Sequence, residues 1–264
     1  MPIRALFFDL DDTLIETHHA HMTAIRLSCE RAAEHHPEWT PERLQELFIS
    51  TYRILEAQIE SGELEFHSQI SFRQRTWEDT LSACGLSPAL GEELANVYLA
   101  ERRKRYCLYE DVPAALDALA PHFRLVLVTN GLGELQREKV TAVQLERWFT
   151  HVVVSGEVGS WKPHAGIFQH ALKLAEVECG EALMVGDNLH RDILGAGALG
   201  IRTAWIRRYP HLTPVEGIRP DFEAEGLPAL VAHLSAENEN NGLPFQSKTD
   251  STPRIRITDN PSRA

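Results

Sequence analysis

Short apolar runs along the chain each stop at a polar or small-residue cluster. Ile3-Arg4-Ala5-Leu6-Phe7-Phe8 stops at Asp9, and Arg124-Leu125-Val126-Leu127-Val128 stops at Thr129-Asn130. His151-Val152-Val153-Val154 stops at Ser155-Gly156, and Ala182-Leu183-Met184-Val185 stops at Gly186-Asp187. Thr203-Ala204-Trp205-Ile206 has the same form. Runs this short predict strands buried on both faces. Helix-like stretches around residues 113–120, 133–147, 164–175 and 190–199 separate them. Alternating strands and helices predict an α/β fold, a doubly wound parallel sheet covered on both faces. Ligands of such sheets bind beyond the carboxyl ends of the strands.

Residues 16–106 break the alternation. Leu44, Leu47, Phe48, Leu55 and Ile59 follow helical spacing, and strand patterning is weak. Thr40-Pro41 and Ser87-Pro88 each read as an N-cap followed by proline at the first helical position. The expectation is a catalytic core of residues 1–15 plus 107–235, with a helical insertion over 16–106. Residues 236–264 are rich in Asn, Ser and Pro and poor in large apolar side chains, and are expected to form a disordered tail. No internal repeat is present.

Charge and composition narrow the partners. The formal net charge is −12, which argues against a general nucleic-acid binder but not against a small anion held by a local cation and a metal. Cys29, Cys84, Cys107 and Cys179 include no C-x-x-C pair, so neither a zinc ribbon nor a disulfide framework is suggested. Reduced thiols in a cytoplasmic protein fit better. The first apolar run ends at Asp9, too soon for a signal peptide. No run reaches the roughly 18 apolar residues that span a bilayer.

The strand ends carry the candidate chemistry. Asp9-Leu10-Asp11-Asp12-Thr13 follows the first run, and period two points Asp9 and Asp11 the same way. Paired carboxylates need a cation or a proton between them. Thr129-Asn130, Lys162-Pro163 and Gly186-Asp187-Asn188, with Asp192 five residues past Asp187, complete the inventory. A carboxylate can attack phosphorus, a second can move the proton, and others can hold a divalent cation. Hydroxyl, backbone N–H and ammonium groups can grip phosphate oxygens. Oxygen-rich ligation favours magnesium over zinc. Taken singly, each has a bland reading: a capped turn at Asp9, a helix N-cap at Asp187, a solvated turn at Lys162. Jointly those readings fail, because independent strand ends supply complementary groups.

Phe8-Asp9-Leu10-Asp11-Asp12-Thr13-Leu14, Thr129-Asn130, Lys162-Pro163 and Gly186-Asp187-Asn188 with Asp192 resemble the four ordered motifs of the haloacid dehalogenase-like (HAD) hydrolases. The resemblance covers roughly residues 3–235. It implies a Rossmann-like core with a cap inserted between motifs one and two. It implies that Asp9 is the nucleophile and a metal ligand, and that Asp11 is the general acid/base with its carbonyl on the metal. Thr129, the Asn130 backbone and Lys162 would bind the substrate phosphate. Asp187 would ligate Mg2+, with Asp192, Asn188 and Thr13 in support. Asp12 stands where glycine is most often found in the family, and marks a subgroup.

Other patterns carry less. Gly195-Ala196-Gly197-Ala198-Leu199-Gly200 matches G-x-G-x-x-G but ends a helix rather than opening one, so close helix–sheet packing is the better reading. No P-loop occurs. His18, His19, His21, His35 and His36 read as a solvated helix face, with His18 or His19 placed to touch substrate. Arg102-Arg103-Lys104-Arg105 reads as a basic helix end. The function expected is a magnesium-dependent phosphatase acting on a small phosphorylated metabolite through an aspartyl-phosphate, as a monomer or homodimer, with no nucleic-acid or membrane partner. A phosphosugar mutase or a 2-haloacid dehalogenase on the same scaffold is the alternative, and a non-catalytic binding protein the most remote. Asp11 argues against the dehalogenase, which has no leaving group to protonate there.

Overall fold

Each apolar run becomes a strand of one parallel sheet. The computed structural model describes residues 2–66, 68–209 and 212–240. The strands are β1 (Ala5–Phe8), β2 (Arg124–Thr129), β3 (His151–Val154), β4 (Ala182–Gly186), β5 (Arg202–Ile206) and β6 (Phe222–Ala224). The helices are α1 (Thr17–His35), α2 (Pro41–Glu60), α3 (Gln69–Ala83), α4 (Gly91–Arg103), α5 (Val112–Leu119), α6 (Gly133–Ala142), α7 (Ser155–Val158), α8 (Ala165–Ala175), α9 (Gly195–Gly197) and α10 (Leu227–Asn240). The chain divides into two compact units. One comprises Met1–Leu14, Leu108–Asn130 and the described residues from Val143 onward; the other comprises Ile15–Cys107 with Gly131–Ala142.

The first unit contains the sheet, ordered β3-β2-β1-β4-β5-β6. Every pairing is parallel, with Phe8 opposite both Leu127 and Val185. Because β1 is flanked by β2 on one side and β4 on the other, strand order reverses at β1, which opens a crevice at its carboxyl end. On one face Phe7, Val126, Val128 and Met184 pack against Ile167, Phe168, Ala171 and Leu172 of α8. α5 and α10 pack together, burying Leu116 and Leu119 of the one and Leu227, Leu230 and Leu234 of the other. α10 runs to Asn240, five residues past the point where composition alone ends the core. Glu237 on its last turns forms a forked pair with Arg202 at 2.7 and 3.1 Å. Residues 241–264, the rest of the expected tail, lie outside the described residues.

The second unit is helical, as its spacing predicts. Thr40 accepts from the Arg43 N–H at 3.4 Å ahead of Pro41, and Ser87 caps a short turn, Pro88–Leu90, that leads into α4. Its core is Ile25, Cys29, Leu44, Phe48, Trp77, Leu81, Leu94 and Tyr98, with the Phe48 and Trp77 rings 4.7 Å apart. α6, whose sequence follows motif two, groups with this unit rather than with the sheet.

Candidate active site

The segments after β1, β3 and β4 bring Asp9, Lys162, Asp187 and Asp192 together within the sheet unit. Asp9 follows β1, and its N–H donates to Val185 O at 2.9 Å, extending the β1–β4 ladder by one residue. The Lys162 ammonium donates to Asp9 Oδ1 at 2.6 Å, to Asp192 Oδ1 at 2.6 Å and to Val128 O at 2.9 Å. An ammonium has three protons, and these acceptors take all of them. Lys162 is 3% exposed and Asp192 is fully buried, so the pair has little water to compete with it.

Asn130 positions that lysine from the backbone side. Its side-chain amide donates to Lys162 O at 2.9 Å and its Oδ1 accepts from Lys162 N at 2.8 Å. Thr129 is fully buried at the end of β2. The Lys162–Pro163 peptide is cis.

Asp192 is held on both sides. Its Oδ1 is on Lys162, and its Oδ2 accepts from the Asn188 N–H at 3.0 Å. Asn188 in turn caps a single π-helical stretch, Leu189–Leu194, accepting from the His190 and Arg191 N–H groups at 3.1 and 2.9 Å. The cap of this element is therefore Asn188, which leaves the Asp187 carboxylate available to the site. A Cβ on Gly186 would lie 2.3 Å from Asp192 Oδ2, so only glycine fits beside that carboxylate.

Burial and mutual repulsion both act on the carboxylates of the cluster. Burial pushes the Asp9 carboxyl up to about 7; Lys162 opposes this, while Asp192 and Asp11 add to it. Asp187 is raised well above the usual carboxylate range by burial and by Asp9, Asp192 and Asp12. Burial works against the Lys162 charge, yet Asp192 and Asp9 carry its pKa up to about 12. Oxygens of Asp9, Asp187 and Asp192 lie within 4.8 Å of one another. An all-oxygen set of this kind suits a hard divalent cation. Since both Asp192 oxygens already accept hydrogen bonds, Asp9 and Asp187 are the carboxylates with capacity to spare.

Residues outside the motifs support the loop after β1. Asp12 has φ 58°, the left-handed region that glycine occupies without cost, which accounts for the glycine usual at this position. Its Oδ1 accepts from Tyr209 Oη at 3.1 Å. Thr13 is fully buried, and its carbonyl accepts from Arg208 Nη2 at 2.9 Å and Nε at 3.2 Å. Arg208 also pairs with both oxygens of Asp111 at 2.8 and 2.9 Å, and lies over the Tyr109 ring at 4.2 Å. Arg208, Tyr209 and Asp111 sit in no motif; the only signal was the charged pair Arg207-Arg208 directly after a strand.

The G-x-G-x-x-G match behaves as a packing element. A Cβ on Gly195 would lie 2.8 Å from Pro163 Cα and 2.9 Å from Phe168 Cε2, and Gly200 has φ 78°. No helix among the described residues is long and apolar enough to cross a membrane.

Comparison with known proteins agrees with this geometry. Residues 3–200 match the haloacid dehalogenase-like hydrolases. The chain is 39% identical over 160 residues to phosphoserine phosphatase of Thermus thermophilus, a match that spans 60% of each chain. It is 30% identical over 248 residues to N-acylneuraminate-9-phosphatase of Rattus norvegicus, covering 89% of this chain and 96% of that one. The fold is that of the HAD-hydrolase YfnB from Bacillus subtilis in a magnesium-bound crystal (TM-score 0.70, 23% identity, 89% of this chain and 99% of that chain). The chain belongs to the haloacid dehalogenase-like hydrolases, among the phosphatases of that family.

Proposed function

We propose that the enzyme hydrolyses a small phosphomonoester with Asp9 as nucleophile, through an aspartyl-phosphate, and that it requires Mg2+. The observation that carries this reading is the Lys162 ammonium bound at once to Asp9 and Asp192. It fixes one Asp9 oxygen and leaves the other for attack on phosphorus, while supplying positive charge where phosphate oxygens gather. Thr129 and the Asn130 backbone share in holding the phosphate. Asp11 gives its proton to the leaving oxygen and later takes one from the attacking water. Asp9, Asp187 and the Asp11 carbonyl would hold the cation, which offsets repulsion between the nucleophile and the incoming phosphate.

We further propose that the choice among phosphomonoesters resides in the helical unit. The core groups address only phosphate and metal, and so cannot tell one ester from another. His18 and His19 are exposed on α1 and are the first positions to substitute.

The test is chelation. EDTA should abolish phosphatase activity against a panel of phosphorylated metabolites, and magnesium should restore it. Acid-quenched enzyme should carry phosphate on Asp9, and Asp9→Asn none. Full turnover after thorough chelation, or phosphate retained in the variant, would overturn the mechanism.

A further inference from the structure

The loop after β1 is tied at both ends, and Asp11 lies between the ties. At its start the Asp9 N–H donates to Val185 O at 2.9 Å and the Asp9 carboxylate accepts from Lys162. Its far end turns back on itself: the Leu14 N–H donates to Leu10 O at 3.0 Å, and Leu14 O accepts from the Tyr109 N–H at 3.0 Å. The turn passes through φ 58° at Asp12, where a residue with a Cβ is strained. Such a turn persists only where its surroundings hold it.

The hold comes from the segment after β5. The Arg207 N–H donates to Ala224 O at 2.7 Å and the Leu212 N–H to Tyr209 O at 3.0 Å, so Tyr209 is carried on braced backbone. Its Oη donates to Asp12 Oδ1 at 3.1 Å and accepts from Tyr109 Oη at 3.0 Å. A phenol that accepts one hydrogen bond is a stronger donor of the next, and a carboxylate is a stronger acceptor than a neutral oxygen. Burial, the Tyr109 hydrogen bond and the Asp12 charge push the Tyr209 phenol up, so it keeps its proton and remains a donor. Arg208 grips the next residue of the loop, Thr13, through its carbonyl. One segment thus holds the Asp12 side chain and the Thr13 backbone together.

We propose that Tyr209, steadied by Tyr109, is a positioning residue: it latches the Asp12 carboxylate, holds the turn in its left-handed form and thereby aims the Asp11 carboxylate. The proposal rests on the reading of Asp11 as the general acid/base. Glycine occupies φ 58° without strain and has no side chain to latch, so a chain with glycine at position 12 has no need of the tyrosine. Aspartate makes the turn and Tyr209 a coupled pair.

The experiment is a double-mutant cycle in the full chain: wild type, Tyr209→Phe, Asp12→Gly and the two combined. Tyr109→Phe takes the place of Tyr209→Phe should that variant fail to fold, and should show the same pattern with smaller losses. Hydrogen exchange over residues 9–14 reads the turn. Turnover at saturating magnesium is measured with p-nitrophenyl phosphate and with the alkyl phosphate that the wild type hydrolyses fastest. Tyr209→Phe should speed exchange in the turn and lower kcat for the alkyl ester about 10-fold, the weight of one hydrogen bond to a charged group. KM should hold, and p-nitrophenyl phosphate, whose leaving group needs no proton, should lose far less. In the Asp12→Gly background the same substitution should change exchange and kcat by less than about twofold, because the contact that couples the two residues is gone. Equal losses in both backgrounds, or equal losses for both esters, would make Tyr209 merely structural and overturn the proposal. Asp12 also adds to the field that raises Asp187, so the cycle is repeated across magnesium concentrations. A loss that appears only at low magnesium would assign Tyr209 to the cation site and overturn it as well. If the wild type hydrolyses no phosphomonoester, the phosphatase reading fails, while the exchange cycle still decides the latch.

Discussion

Lys162 joins carboxylates with different duties, and substitutions around it should separate those duties. Asp192 touches the lysine and the Asn188 N–H, so Asp192→Asn should weaken the lysine's hold without removing Asp9, the proposed nucleophile. Asp11 is expected to act only on the leaving oxygen and the water. Asp11→Asn should therefore lose about 10²–10⁴-fold in turnover of an alkyl phosphate. It should lose far less with p-nitrophenyl phosphate, whose leaving group needs no proton. Equal losses for both esters, measured as kcat/KM, would remove Asp11 from that role. Asp12 poses a question of backbone rather than chemistry. At φ 58° an alanine should be about 1 kcal/mol less stable than a glycine in denaturant unfolding, because only the glycine sits there unstrained. Aspartate recovers part of that difference through Tyr209.

Among the elements, the segment after β5 does what no motif announced. Arg208 joins Asp111, at the start of α5, to the Thr13 carbonyl in the loop that carries Asp11. Removing one partner of a pair this enclosed costs about 3 kcal/mol. Arg208→Met should lower stability by that order and, by loosening the Thr13 loop, reduce kcat more than it raises KM. An unchanged kcat in a variant that melts lower would limit Arg208 to stability. Gly186→Ala should be worse for chemistry, because its Cβ would displace the Asp192 carboxylate that anchors Lys162. The strands β1 to β5 were legible in the sequence because a strand buried on both faces is apolar throughout and ends abruptly. Asp9, Asn130 and Asp187 were legible because each directly follows such an ending, whereas Lys162 lies beyond α7 and Asp192 within the helical stretch after β4. β6 was not, since its three residues, Phe222–Ala224, carry too little pattern to register. The last turns of α10 were not legible either: Glu237, Asn238 and Asn240 have the composition of a tail, and the sheet residue Arg202, distant in sequence, takes both Glu237 oxygens. Arg208 and Tyr209 were invisible for the same reason, because each is defined by contacts distant in sequence.

For the molecule as a whole, the two units have separate cores and should answer to different perturbations. On the proposed reading magnesium binds the carboxylates of the sheet unit, and it should then raise that unit's unfolding midpoint, increasing with concentration as binding to the native state requires. Acid acts on the helical unit through His21. That histidine is set among Tyr52 of α2, Tyr98 and Arg102 of α4, Arg73 of α3, Lys139 of α6 and His18 of its own helix, and its folded pKa lies well below the ordinary value. Below about pH 6.5 the unfolded chain binds a proton at His21 that the folded chain refuses. Stability contributed by neutral His21 is therefore fully present above that pH, and is lost as pH falls from about 6.5 toward the depressed folded pKa. Hydrogen exchange by mass spectrometry, corrected for intrinsic rates, should show α1 to α4 losing protection between pH 6.5 and 5. His21→Gln, which cannot take up the proton, should flatten that loss. Added magnesium should leave it in place while protecting the β1, β2 and β4 amides. If the helical amides lost protection equally in wild type and His21→Gln, the acid response would have to come from other groups, and the field read from Arg73, Arg102 and Lys139 would not govern it.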